Sequence, residues 1–296
     1  MAKLGKENLI KFLQTSAGEN VLRTSAKMVS RKIISAAQYY IGVPDGEFFT
    51  EKDFEESVVK AKKAYVTLNT IMGGETAEKD RFDEGKKQVP GLLTPLGVRK
   101  MVHLYTYLYC YGSGINRTTE LATVRACRQS EISEGETVID ALTSTTKLST
   151  EEIMQLGYGN KNHLAICCYK IHDKAAVFDM EELGKNYPKP EEKEVLLLTG
   201  GRLVAHCLGY NDTYRGKDGE PALMYEVEVY PPDFSNIEGN TEEIEKIVYN
   251  VQYISEIKDF YTELNTKEDF PEVPACYKEW KDAFKKLVFL ELKKLA

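Results

Sequence analysis

The spacing of apolar residues is helical in the first hundred residues of the chain. Apolar residues there recur three and four positions apart, and Thr50 with Asp53 forms the pattern that commonly begins a helix. Residues 75–91 carry mixed charge without a period, which predicts a linker or mobile loop. Thr94 and Pro95 are then typical of the start of a long helix that ends near the glycines of YGSGIN.

The middle of the chain consists of short apolar runs that predict strands. HLAICCYKI, EVLLLT, RLVAHCL and YEVEVY are separated by glycine, asparagine, proline or clusters of charge. Gly200-Gly201 joins two of these runs and predicts a tight hairpin, because glycine tolerates the positive backbone angles of such a turn. Cys167 and Cys168 are adjacent in one run, so their side chains are expected on opposite faces of a strand.

The final part of the chain returns to helical spacing, with apolar stripes that predict two helices. Helices, then strands, then helices predict an α+β fold. We expect an N-terminal helical region at 1–90, a strand-rich core at 91–232 and a C-terminal helical extension at 233–296. Any catalytic chemistry is expected in the strand-rich core.

Composition and charge restrict the possible functions. The chain has 39 Lys and Arg against 46 Asp and Glu, a formal net charge of −7, whereas nucleic acid or an anionic membrane normally requires a basic surface. Its apolar runs are too short for a membrane span, and its first residues lack the pattern of a cleaved export signal. The expected location is the cytoplasm, or a host cell reached by a non-classical secretion system. Six cysteines and four histidines without ligand spacing predict free thiols and no metal site.

Two segments place polar side chains where a strand is predicted. Arg125 lies in TVRA, where a guanidinium would meet a phosphate, a carboxylate or solvent. Ser144, Thr145 and Thr146 follow the run VIDAL, where hydroxyls can bond to the backbone or orient a carboxylate. Taken singly, an arginine on an edge strand and a hydroxyl-rich strand end are both common structural features.

A third segment, KPEEKEVLLL, carries two acids directly before an apolar strand. Glu192 and Glu194 flank Lys193. Residues two apart on an extended chain point the same way, so both carboxylates are expected to face one cleft. In isolation, this segment also fits a solvated run of charge.

In this order, the segments resemble the mono-ADP-ribosyltransferases of the Arg/Ser-Thr-Ser/Glu-x-Glu class, which include bacterial toxins and animal ecto-transferases. LYTYLYCYGSGIN resembles the helix of that family, TVRACR its first strand and TSTTK its Ser-Thr-Ser strand. NYPKPEEKEVLLLTG resembles its substrate loop, its Glu-x-Glu motif and the strand after it. Thr146 stands where the family usually has a third hydroxyl from serine.

The resemblance implies an ADP-ribosyltransferase-like split β-sandwich core that uses NAD as a substrate. ADP-ribose would pass to a protein side chain and nicotinamide would leave. Glu194, held by Ser144, would stabilise the oxocarbenium-like ribose, and Glu192 would orient and deprotonate the acceptor. Arg125 would hold the pyrophosphate or the ribose beside it. A glutamate at position 192 resembles the arginine-modifying members, so a protein with an acceptor arginine is the expected partner.

Other contacts to NAD are implied at Thr145, Asn116 and Tyr158. Tyr158 in GYGNKN would stack on nicotinamide, although an exposed loop tyrosine is the ordinary alternative. Arg125 is preferred to Arg128 because a branched apolar residue precedes it and a small residue follows. The two arginines are three positions apart, so a regular strand sends them to opposite faces and only one can reach the cleft.

Two other functions stay open. The first is an NAD glycohydrolase, which uses water as acceptor; Glu192 argues against it, because water needs less orientation than a guanidine. The second is a catalytically silent binding module with the same fold. The helical ends would select a protein substrate or complete the core. The resemblance also implies a bacterial toxin or effector that acts inside another cell.

Overall fold

A computed structural model describes residues 6–18, 64–113, 120–181 and 189–296. The helix expected at Thr50 and Asp53, and the proposed ligand contact Asn116, lie outside these residues. The chain divides into two compact units, one of helices (Lys3–Tyr111 with Phe234–Ala296) and one rich in strands (Gly112–Asp233). The α+β class predicted from the sequence is confirmed.

The helical unit combines the segments expected as separate N- and C-terminal regions. Sequence boundaries at 90/91 and 232/233 compare with structural divisions at 111/112 and 233/234, so the long helix expected in the core groups with the other helices. The helices described in the chain are α1 (Lys6–Leu13), α2 (Ala64–Met72), α3 (Ala77–Asp83), α4 (Pro95–Ser113), α5 (Thr150–Gln155), α6 (Thr241–Val248), α7 (Val251–Thr266) and α8 (Tyr277–Lys293). Of these, α5 belongs to the strand-rich unit.

Helix α4 begins as its sequence predicts. The Thr94 hydroxyl accepts a hydrogen bond from the Gly97 N–H at 3.0 Å, and its carbonyl accepts one from the Val98 N–H at 2.8 Å. Pro95 occupies the first helical position, where a missing N–H costs nothing.

Residues 75–91 are more ordered than their sequence predicts, because they contain helix α3 and a 3-10 turn over Pro90–Leu92. The helix lacks an apolar period, yet Phe82 packs edge-on against Phe270 with ring centroids 5.6 Å apart. Glu78 is buried and hydrogen-bonds to groups from α8. Its contacts come from distant parts of the chain, so local spacing does not reveal them.

The strands of the described residues form one sheet of eight, in the order β2-β7-β8-β4-β1-β3-β6-β5. All neighbouring pairs are antiparallel except β4 with β8. A single residue pair, Val124 with Thr146, joins the first five strands in this order to the last three. The strands are β1 (Leu121–Arg128), β2 (Gly135–Val138), β3 (Thr143–Thr146), β4 (Leu164–Ile171), β5 (Val177–Asp179), β6 (Glu194–Leu197), β7 (Arg202–Arg215) and β8 (Pro221–Tyr230).

The hairpin expected at Gly200-Gly201 is wrong. Strand β6 pairs with β3 and β5, whereas β7 pairs with β2 and β8, so the glycines carry the chain from one group of strands to the other. Gly200 does adopt a positive φ of 94°, and its N–H donates to the Ile139 carbonyl at 2.8 Å. A glycine pair indicates a turn, but it does not determine which strands pair afterwards.

Side chains alternate between two faces of the sheet. One face carries a buried core that includes Cys127, Cys167, Val195 and Leu197. The opposite face carries a smaller apolar cluster of Leu164, Ile166 and Ala222, against which Val124, Ala126, Met154, Tyr214 and Met224 pack. Cys167 is buried and its neighbour Cys168 is half-buried, as expected for a strand.

None of the helices in the described ranges is long and apolar enough to cross a membrane. Within the same ranges, no group of three or more histidine, cysteine, aspartate or glutamate side chains could hold a metal ion.

Candidate active site

Ser144 and Glu194 meet on one face of the sheet. Strands β3 and β6 are antiparallel and Thr146 is paired with Glu194, so Ser144, two residues before Thr146, lies diagonally across from that glutamate. The Ser144 hydroxyl donates to Glu194 Oε1 at 2.6 Å. The structure therefore brings together the hydroxyl and the acid that the sequence singles out.

Glu192 reaches this site through a turn and not along an extended strand. Residues Pro190–Glu192 form a 3-10 turn, and Lys193 adopts left-handed backbone angles of φ 43° and ψ 45°. Glu194 is the first residue of β6. The expectation that Glu192 and Glu194 share one face of a strand is therefore wrong in its geometry, because the backbone reverses its twist at Lys193.

Thr146 fixes the backbone of that turn. Its hydroxyl donates to the Glu192 carbonyl at 2.5 Å and accepts from the Leu148 N–H at 3.0 Å. A second backbone bond joins the Lys147 N–H to the Lys193 carbonyl at 3.1 Å. Thr146, the last hydroxyl of TSTT, thus holds the acidic segment beside strand β3.

Thr145 faces the opposite way from Ser144 and Thr146. Its side chain is buried, and its hydroxyl donates to the Val195 carbonyl at 2.9 Å. The structure gives Thr145 a backbone partner on the core side of the sheet, whereas the family resemblance implies contact with NAD.

The electrostatics of the two acids differ. Burial raises the pKa of the Glu194 carboxyl, the Glu192 carboxylate raises it further, and the Ser144 hydrogen bond and Lys189 act in the lowering direction. Lys189 also pairs directly with Glu192, with Nζ 2.5 Å from Oε1. The net effect lifts the pKa of Glu194 above its ordinary value of 4.5, so it ionises at a higher pH than a solvated glutamate.

Arg125 lies on the other face of the sheet from the acids. Val124 is paired with Thr146, which is paired with Glu194, so these three side chains share a face. Strand β1 pairs with β4 without a bulge over its whole length, and the residue after Val124 therefore points the opposite way. The register thus directs the Arg125 side chain away from the face that carries Ser144 and Glu194.

The Arg125 side chain instead forms an ion pair with Glu131, with Nη2 2.5 Å from Oε2. The other oxygen of this carboxylate accepts the backbone N–H of Arg128 at 3.0 Å. Arg128 is exposed and stands four residues after Val124, so its side chain leaves the strand on the same face as Glu194. Neighbouring residue types favoured Arg125 in the sequence, but strand register decides the face.

Tyr158, the proposed stacking residue, lies just after helix α5. It is half-buried, its N–H donates to the Ile153 carbonyl at 3.1 Å, and its carbonyl accepts from Lys161 Nζ at 2.9 Å. Ser149 caps the start of helix α5, because its hydroxyl accepts from the Glu152 N–H, and the helix contacts strand β1.

Lys189 is the site residue that the sequence interpretation missed. The signal was present in the run KPEEKE, where Lys189 and Glu192 are three positions apart. Such spacing gives an ion pair only when the segment is helical, and an extended chain was expected here.

No protein-family model and no curated protein matches the chain. Solved structures similar to it include Vis, an ADP-ribosyltransferase toxin from Vibrio splendidus in complex with agmatine, at 13% identity over 73% of this chain and 90% of that one, with a TM-score of 0.35. An ADP-ribosyltransferase from Clostridium botulinum is 9% identical over 69% and 96%, with a TM-score of 0.36. The ADP-ribosylating component of a binary enterotoxin of C. perfringens, solved with NADH, is 11% identical over 67% and 48%, with a TM-score of 0.36. At this level of similarity, the chemistry of the chain has to be inferred from its own side chains.

Proposed function

We propose that this protein transfers ADP-ribose from NAD to an arginine of another protein and releases nicotinamide. The observation that carries the proposal is the 2.6 Å hydrogen bond from Ser144 to Glu194, with Glu192 held two residues away by Thr146. The Ser144 hydroxyl fixes Glu194 beside a second acid, Glu192. This arrangement supports the roles that the family resemblance implies for the two acids.

The two acids would serve different stages of one displacement. As the bond between nicotinamide and the ribose carbon breaks, its electron pair leaves with nicotinamide and positive charge develops on the ribose. Glu194, ionised and bonded to the ribose 2′-hydroxyl, stabilises that charge. A guanidine nitrogen then forms the new bond to the ribose carbon, and its proton passes to Glu192.

The guanidinium that holds the pyrophosphate is, in this proposal, Arg128. Strand register supports Arg128 because it leaves β1 on the same face as Glu194, whereas Arg125 leaves the strand on the other face. Asn116 and Tyr158 would complete the contacts to NAD, on the basis of the resemblance alone.

Glutamine substitutions separate the two arginines. Loss of a charge-assisted contact to phosphate costs about 1.5–3 kcal/mol, so Arg128→Gln is expected to raise the KM for NAD roughly 10- to 100-fold. Arg125→Gln serves as the matched control and is expected to change that KM less than about threefold. The reverse order would return the phosphate role to Arg125.

Nicotinamide release with and without an acceptor tests the reaction itself. Wild-type protein with NAD and agmatine, a small guanidine, is expected to release nicotinamide and form ADP-ribosyl-agmatine. Glu192→Gln should lose transfer to agmatine by roughly 100-fold while NAD hydrolysis persists, because water needs less orientation. Equal hydrolysis by wild type and Glu194→Gln would favour the silent binding module.

We also propose a bacterial toxin or effector that modifies a protein inside another cell. Labelled NAD in a host-cell lysate is expected to mark a discrete protein, and mass spectrometry would locate the modified arginine. Glu194→Gln protein is the control. Label found on residues other than arginine would overturn the acceptor assignment.

A further inference from the structure

Glu192, the acid proposed to act on the acceptor, already forms an ion pair with a lysine of its own chain. Lys189 Nζ lies 2.5 Å from Glu192 Oε1. The Lys189 side chain is 60% exposed, whereas the Glu192 side chain is only 20% exposed. The ammonium thus occupies one oxygen of a carboxylate that offers little other surface to solvent.

The Lys189 side chain is not what holds Glu192 in place. The backbone N–H of Glu192 donates to the Lys189 carbonyl at 3.0 Å, and its carbonyl accepts from Thr146 at 2.5 Å. Both bonds would survive a change of the lysine side chain. The Lys189 ammonium therefore balances the charge of Glu192 and does not hold the backbone of the turn.

A guanidinium acceptor needs the same carboxylate. It is a cation that binds carboxylates through N–H donors, as an ammonium does. The lysine of this pair is largely exposed, and an ion pair with one such partner is weak and is easily exchanged for another.

We propose that Lys189 is an internal stand-in for the acceptor, neutralising Glu192 in the free protein and yielding its place when a guanidinium arrives. This inference rests on the proposed function for the role of Glu192 in transfer. It makes Lys189 a residue that governs acceptor affinity.

The test compares Lys189→Gln with wild type, using agmatine as acceptor. Removal of the competing ammonium is expected to lower the KM for agmatine about two- to fivefold, the size of a weak surface ion pair. Lys189→Arg, which keeps the charge, should restore the wild-type value. Lys170→Gln is the matched control, because Lys170 is also an exposed lysine near a glutamate, with its Nζ 3.4 Å from Glu120.

Calorimetric titration of agmatine into the same proteins without NAD gives a readout that needs no turnover. Tighter binding by Lys189→Gln than by wild type and Lys170→Gln would support the competition, even in a protein that released no nicotinamide. Equal or weaker binding by Lys189→Gln would overturn it. Absence of nicotinamide release from wild type would instead overturn the proposed function.

Discussion

Each unit of this protein holds a glutamate in place by hydrogen bonds, but the two glutamates have different charged neighbours. In the helical unit, buried Glu78 accepts from Lys281 Nζ at 2.7 Å and from the Tyr277 hydroxyl at 2.5 Å. In the strand-rich unit, Glu194 accepts from the neutral Ser144 hydroxyl and has a second carboxylate, Glu192, as a neighbour.

The difference separates an acid that supports folding from an acid suited to chemistry. Lys281 supplies the opposite charge to Glu78, and both side chains of this pair are less than a tenth exposed. Glu194 has a raised pKa because burial and Glu192 both disfavour its charge. A carboxyl group whose pKa is raised by its surroundings is typical of a functional site.

The largest effect is expected from breaking the buried pair. Lys281→Ala leaves Glu78 buried without its cation, which should lower the free energy of unfolding by about 3–5 kcal/mol. Denaturant unfolding followed by the fluorescence of Trp280, the single tryptophan of the chain, reports on this unit directly. Lys278→Ala is the control, because the pair of Lys278 with Glu75 is exposed and is worth less than about 1 kcal/mol. Equal losses in both variants would remove the contrast between the two glutamates.

Glu194→Gln should act on activity and not on folding. Removal of one preorganised electrostatic group is expected to slow nicotinamide release roughly 10²- to 10³-fold. Because the pKa of Glu194 is raised in the folded protein, its ionised form subtracts from stability above that pKa and subtracts nothing below the ordinary value of 4.5. The variant should therefore match or exceed the thermal stability of wild type at neutral pH, with the difference vanishing below about pH 4.5. A lower melting temperature at neutral pH would mean that Glu194 serves the fold.

A smaller change should follow from Ser144→Ala. The Ser144 hydrogen bond lowers the pKa of Glu194, so its loss should move the acidic limb of the pH–rate profile to higher pH. On the plateau, the rate is expected to fall about tenfold, since a hydrogen bond to a charged group is lost. Thr145→Ala is a useful comparison, because its hydroxyl bonds to the backbone on the other face. An unshifted acidic limb would show that a group other than Glu194 controls it.

Apolar periods in the sequence were sufficient to predict the α+β class. The contact of Ser144 with Glu194 was implied by the family resemblance, and in the structure it forms because strands β3 and β6 pair. The start of helix α4 was also predicted, because proline at its first position acts locally.

The remaining features depend on pairing that local spacing does not contain. The face of Arg125 follows from which residue of β1 stands opposite Thr146, and Gly200-Gly201 links strands that are not neighbours. Helix α3 is ordered by contacts to α8 and to Phe270, far along the chain. The left-handed angles at Lys193 could not be read from a lysine, since glycine or asparagine usually mark that conformation.

The seam between the two groups of strands is one residue wide, at Val124 and Thr146. Few backbone hydrogen bonds therefore join the group of five strands to the group of three. A dinucleotide that contacted Arg128 in the group of five strands and Glu194 in the group of three would link the two groups. Binding of such a dinucleotide would slow amide exchange in β1 and β3, before any product was formed.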